Sequence, residues 1–200
     1  MKRIFLSIMC VLLASGIIAN AKESKKSETF QDAAKLELAA DLQQAALDGN
    51  LIAVKTLLNN GADPNSAGED STPVLGMAAY EGHTEIVKFL IEKGADVNVR
   101  DKNGISPLWS AAYRGYAEMV KLLLEKGADV DAKTIYYGST PLWAAAQNGY
   151  SEIVGLLLEK GADPNVKVII SDIEWSALKM AKAKNLEGVV QLLERAGAKL

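Results

Sequence analysis

Few side chains in this 200-residue chain could do chemistry, and their spacing decides what they are for. His83 is the only histidine and Cys10 the only cysteine. Asp63, Asp96, Asp129 and Asp163 return at intervals of 33, 33 and 34 residues, which could describe a row of carboxylates for cations. Each, however, follows a Gly-Ala pair, where a short acidic side chain ordinarily bonds the backbone of a turn. "DKNGIS" at Asp101 begins like a calcium loop but lacks the remaining ligand positions and the distal glutamate, so it reads as the tip of a hairpin. His83 has Tyr116 and Tyr150 at the same register downstream, an exchange that suits a partly buried polar ring and not a general base or metal ligand. No phosphate-cradling glycine loop and no nucleophile motif is present. The sequence therefore predicts no catalytic residue, no metal and no cofactor.

The elements that hold these residues follow from the same period. In register, the copies read "DLQQAALDGNLIAVKTLLNNGADPN" from Asp41, "VLGMAAYEGHTEIVKFLIEKGADVN" from Val74 and "PLWSAAYRGYAEMVKLLLEKGADVD" from Pro107. They continue as "PLWAAAQNGYSEIVGLLLEKGADPN" from Pro141 and a degraded "ALKMAKAKNLEGVVQLLERAGAKL" from Ala177. Five copies at a fixed period predict a solenoid. Ser106-Pro107 and Thr140-Pro141 start a short helix, with a hydroxyl for the free N–H groups and a proline where its missing N–H costs nothing. Paired alanines let neighbouring helices approach, and Gly115 and Gly149 end the helix at positions suited to positive φ. A second helix places Ile86, Phe89 and Leu90 at i, i+3 and i+4. Gly61, Gly94, Gly127 and Gly161 end this second helix in each copy.

Departures from the period locate the ends. The second copy has Thr72-Pro73 one residue early, which changes how its first helix starts. The first copy has no Thr-Pro and is preceded by "TFQDAAKLELAAD", a helical N-terminal cap with capping residues at Thr29 and Asp32. The last copy loses proline and glycine and gains Lys179, Lys182 and Lys184, as a terminal repeat facing water should.

Residues 1–21 have Lys2 and Arg3 ahead of an apolar run that closes on Ala19-Asn20-Ala21, the pattern of a signal peptide cleaved after Ala21. Residues 22–31 read as a polar linker and 32–200 as the repeat domain. Cleavage would remove the only cysteine, so the fold cannot rest on disulfides or thiolate metal sites. It would also leave 20 of the 22 basic residues against 25 acidic ones. The basic residues are dispersed, which argues against nucleic acid as a partner. The expected location is periplasmic or secreted, with no membrane association once the leader is gone, and the expected state is a monomer.

The lines "SPLWSAAYRGY", "TPLWAAAQNGY" and "EIVKFLIEKGADVN" resemble ankyrin repeats, and the resemblance spans roughly residues 37–200. With its leader, the chain resembles exported bacterial members of that family. The resemblance implies an all-α solenoid of about five helix-turn-helix repeats with protruding β-hairpin-like turns. It also implies a non-catalytic module that binds a protein partner through its concave face. Mapped onto this chain, that face takes Tyr80, Glu81, Tyr113, Arg114, Gln147 and Asn148 from first helices, and Arg100, Lys102, Asn103, Ile135, Tyr136 and Tyr137 from turns. An inhibitor that occludes the active site of a toxin is the alternative function, and an enzyme with an unrecognised site a third. Trp109 and Trp143 occupy equivalent slots and read as packing between repeats. Tyr136-Tyr137 sits in a turn lengthened by about one residue and reads as a contact. "VKVIISDIEW" at 166–175 is either a second contact or a flap folded onto its own stack.

Overall fold

Paired short helices joined by sharp glycine turns are repeated along the chain in a computed structural model that describes residues 24–200 apart from 69 and 70. The predicted leader and its cleavage site at Ala21 lie outside the described residues. A long helix, α1 (Ser24–Leu47), opens the stack, and α2 (Leu51–Asn59) pairs with it. Three further pairs follow: α3 (Val74–Glu81) with α4 (Thr84–Glu92), α5 (Pro107–Arg114) with α6 (Ala117–Glu125), and α7 (Pro141–Asn148) with α8 (Ser151–Glu159). A two-stranded hairpin, β1 (Lys167–Ile170) and β2 (Ile173–Ser176), precedes the last pair, α9 (Ala177–Ala183) and α10 (Glu187–Arg195). The all-α solenoid read from the sequence is the architecture found.

Helix starts follow the capping chemistry where the residues allow it. Ser106, Thr140 and Ser176 accept from the backbone N–H three residues on, at 3.1, 3.3 and 3.1 Å. The early Thr72-Pro73 has the expected effect: Pro73 itself takes the extended N-cap position of α3, where its side chain makes no capping hydrogen bond. Thr29 and Asp32, expected at a helix start, lie inside a helix. α1 starts at Ser24 and runs through both, and through residues 24–31 where the composition suggests a linker. From Ser24 to Leu47 the chain has no Gly or Pro and is rich in Lys, Glu, Ala, Leu and Gln, residues of high helix propensity, while Leu38, Leu42, Ala45 and Ala46 bury its C-terminal half against the stack.

Burial explains the stacking. Ala78-Ala79, Ala111-Ala112 and Ala145-Ala146 are wholly buried between first helices, with Leu75, Leu108 and Leu142 beside them. Ile86, Val87 and Leu90 in α4 and their counterparts in α6 and α8 close the other layer. First helices touch one another more closely than second helices do, because alanine admits a nearer approach than leucine. The stack therefore curves with the first helices on its inner, concave side.

Two kinds of glycine hold the repeat together. Gly127, at φ 86° after α6, has open space where a Cβ would stand, so only its backbone conformation demands glycine. Gly115, at φ 83° after α5, has the same conformation and in addition lies under the ring of Tyr150, whose Cζ would be 2.7 Å from a Cβ. His83 covers Gly49 and Tyr116 covers Gly82 in the same way. In the degraded last copy Leu186 covers Gly149, while Asn185 takes the left-handed position after α9 at φ 56°.

Candidate functional site

The lone histidine serves the stack. Its ring lies on Gly49, and its Nε2 donates to the Leu47 carbonyl at 3.0 Å, fixing one repeat to the preceding one. Tyr116 and Tyr150 fill the same slot with larger rings. The aspartates after the Gly-Ala pairs are turn residues: Asp63, Asp96, Asp129 and Asp163 each accept the backbone N–H two residues on, at 2.8 to 3.1 Å. The residue so bound reaches the next repeat. Asn65 Oδ1 accepts from Asp96 N at 2.8 Å, and Asn98 Oδ1 accepts from Asp129 N at 2.8 Å. Their Nδ2 groups donate to the Gly94 and Gly127 carbonyls. Asp131 continues this ladder as an acceptor only, and Asn165 ends it on Lys199 N. Among the described residues no group of three or more His, Cys, Asp or Glu is placed to hold a metal ion. Asp101 accepts from the Asn103 and Ile105 N–H groups, both at 2.8 Å, and so shapes its own turn.

The residues assigned to recognition separate into two groups. On the first helices, Arg114 lies 4.8 Å from the centre of the Tyr80 ring and so links α5 to α3. Tyr116 raises the guanidinium pKa, through its hydroxyl first, with charge attraction from Tyr116, Tyr80 and Glu81 adding to it. Arg114 is therefore a permanent cation held over an aromatic face. Tyr113 stacks on Trp109 with ring centres 5.0 Å apart and planes 9° from parallel. Asn148 donates to the Tyr113 carbonyl at 3.0 Å, and the Gln147 carbonyl accepts from Lys184 at 2.8 Å. These side chains form a continuous inner surface, and much of their hydrogen bonding is spent on holding repeats together. Glu81 is exposed on the same helix as Tyr80.

The second group lies at the turn tips. Arg100 pairs with Asp129 at 3.1 Å and donates to the Lys133 carbonyl at 3.3 Å, so it is half committed to the next repeat. Asn103 is partly buried, and its carbonyl accepts from Ile135 N at 2.8 Å, which joins neighbouring turns. Beyond that joint, Ile135, Tyr136 and Tyr137 stand 66%, 74% and 57% exposed. Lys102 and Lys133 are exposed, and among the described contacts their ammonium groups have no partner.

The segment 166–175 forms a hairpin with one face folded onto its own stack and the other exposed. Val168 is fully buried and Ile170 packs against the core, whereas Ile169 and Ile173 are more than half exposed. The hairpin turns on Ser171 and Asp172, both at positive φ, and sits beside the Tyr136 turn, since Gly138 abuts the Lys167 carbonyl. The two tryptophans differ. Trp143 is buried between repeats, as the sequence suggests. Trp109 is partly buried and does both: its indole N–H donates to Ser139 Oγ ahead of the next repeat at 3.0 Å, and its ring stacks on Tyr113 of the inner surface. The signal available in the sequence was its i, i+4 spacing from Tyr113 on a first helix.

A family model of ankyrin repeats matches three overlapping stretches, residues 42–134, 75–168 and 132–200. Comparison with curated proteins finds no match.

Proposed function

The chain belongs to the ankyrin-repeat family, and from that premise we propose that it is an exported, non-catalytic module that binds one protein partner through its concave face and turn tips. Ankyrin repeats are in general protein–protein interaction modules and typically non-catalytic. The observation that carries the particular surface is the exposure of Ile135, Tyr136 and Tyr137 on one turn. Monomeric proteins rarely leave large apolar side chains contiguous and exposed, and aromatic side chains concentrate binding energy because they bury much area with few rotatable bonds. The stacked Trp109–Tyr113 pair and the Arg114–Tyr80 pair extend this surface inward along the first helices. A partner that grips the tips would meet these rigid, pre-organised faces next.

Site-specific crosslinking tests the reading. A photoreactive phenylalanine in place of Tyr136 should capture a protein in the producing cell, and the same group in place of Lys88, exposed on α4, should not. Capture from Lys88 alone would move the interface to the second-helix side.

A further inference from the structure

Charge is not shared evenly over this molecule. The chain as a whole carries 22 basic and 25 acidic residues. From the outer part of each turn through the first helix after it, residues 99–114, 132–149 and 166–184 hold eight basic residues against three acidic ones, the turn acids Asp96, Asp129, Asp131 and Asp163 lying outside these stretches. Two of the basic residues are neutralised by acids from elsewhere, Arg100 by Asp129 and Lys182 by Glu194. Of the three acids, Asp101 is bonded within its turn, and Glu174 pairs with Lys167 at 2.7 Å. Only Asp172, at the hairpin tip, has no partner among the described contacts. Lys102 and Lys133 flank the tip formed by Ile135, Tyr136 and Tyr137, and nothing within the described chain neutralises them.

Resting on the function proposed above, we propose that the partner presents an acidic polypeptide segment that also carries apolar side chains, bound along the tips from Lys102 through Tyr136-Tyr137 to the hairpin at Ile169 and Ile173. Carboxylates would meet Lys102 and Lys133, and apolar side chains would cover Ile135, the tyrosine pair and the two isoleucines. Complementary charge of this kind steers encounter and suppresses wrong partners. Strand addition is not the mode. The Glu174 carbonyl of β2 is already taken by Lys179 Nζ at 2.9 Å, and the Lys167 carbonyl of β1 lies against Gly138, so neither strand offers a fully free row of backbone groups. Two other anionic surfaces fit less well. Of the exposed tip side chains only Tyr136 and Tyr137 offer a stacking face to nucleic-acid bases, whereas Ile135, Ile169 and Ile173 do not, and two unpaired lysines, Lys102 and Lys133, are few for an anionic bilayer.

The test is selection of random phage-displayed peptides on the immobilised chain. Enriched peptides should contain more Asp and Glu than Lys and Arg, together with apolar residues. Lys102→Glu with Lys133→Glu should weaken their binding at least ~tenfold, while Lys88→Glu with Lys121→Glu, on second helices, leaves it within about twofold. Circular dichroism melts establish that each variant is folded. Enriched peptides that are neutral or basic, or that ignore reversal of Lys102 and Lys133, overturn the acidic partner; if such peptides are still lost on Tyr136→Ala with Tyr137→Ala, the proposed function survives. Failure to recover any peptide sensitive to the tips sinks both. Tighter tip-dependent binding of oligo-thymidine, or of vesicles of equimolar phosphatidylcholine and phosphatidylserine, overturns the polypeptide assignment.

Discussion

Gly115→Ala and Gly127→Ala ask the same thing of the backbone and different things of the packing. Both glycines follow a helix at nearly equal φ, 83° and 86°, so alanine at either costs about 1–2 kcal/mol for a left-handed residue. At Gly127 that is all, because a Cβ would meet nothing within 4 Å. At Gly115 the Cβ would stand 2.7 Å from Tyr150 Cζ and 2.9 and 3.0 Å from its Cε atoms. Carbon atoms pack at ~3.5–4 Å, so the ring must retreat by roughly 1 Å from the repeat it covers. Overpacking of this size adds ~1–2 kcal/mol, which brings Gly115→Ala to ~2–4 kcal/mol in total. Urea denaturation followed by circular dichroism measures both variants. A double-mutant cycle isolates the packing part: Tyr150→Ala should cost at least ~1 kcal/mol less in the Gly115→Ala background, and the same within ~0.5 kcal/mol in the Gly127→Ala background. Equal destabilisation by the two glycine variants, with no coupling to Tyr150, would refute the idea that ring cover links the repeats.

Two further outcomes follow from the turn ladder and the leader. Asn98→Ala removes both the acceptor for Asp129 N and the donor to the Gly127 carbonyl, and should lower stability by ~1 kcal/mol in the same urea assay. Asp131→Asn restores the donor this rung lacks and should raise stability by about 0.5 kcal/mol. N-terminal sequencing of chain recovered from its producing cell should begin at Lys22; an intact Met1 on membrane-bound material would contradict cleavage after Ala21.

The repeat was legible because its signals are local. A hydroxyl before proline, an alanine pair and a glycine after a leucine-rich run each dictate backbone within a few residues, and five registered copies make the period plain. The roles of Asn65, Asn98 and Asn165 were not read, although their recurrence two residues after the turn aspartates was visible. Their bonds join residues 29 to 34 positions apart and exist only once the stack is formed. The same holds for rings over glycines: the exchange of His83 for Tyr116 and Tyr150 indicated a structural slot, but only the three-dimensional stack identifies Gly49, Gly82 and Gly115 as its floor. The start of α1 was missed for a different reason. A polar stretch and a polar helix have the same composition, and continuity without Gly or Pro decides between them. On the candidate surface, the extra residue in the Tyr136 turn goes with the exposure of Ile135, Tyr136 and Tyr137. The fates of Val168 and Ile169 depended on strand pairing and could not be separated beforehand.

Isothermal calorimetry against the protein that crosslinks at residue 136 tests the central claim most directly. Tyr136→Ala with Tyr137→Ala should weaken binding by at least ~2 kcal/mol, the usual threshold of an anchoring residue, with little change in the melting temperature, since both rings are exposed. Lys88→Ala with Lys121→Ala should leave affinity within about 0.5 kcal/mol. Unchanged affinity in the tyrosine variant, with a clear loss in the lysine variant, would place recognition on the second-helix side and contradict the account.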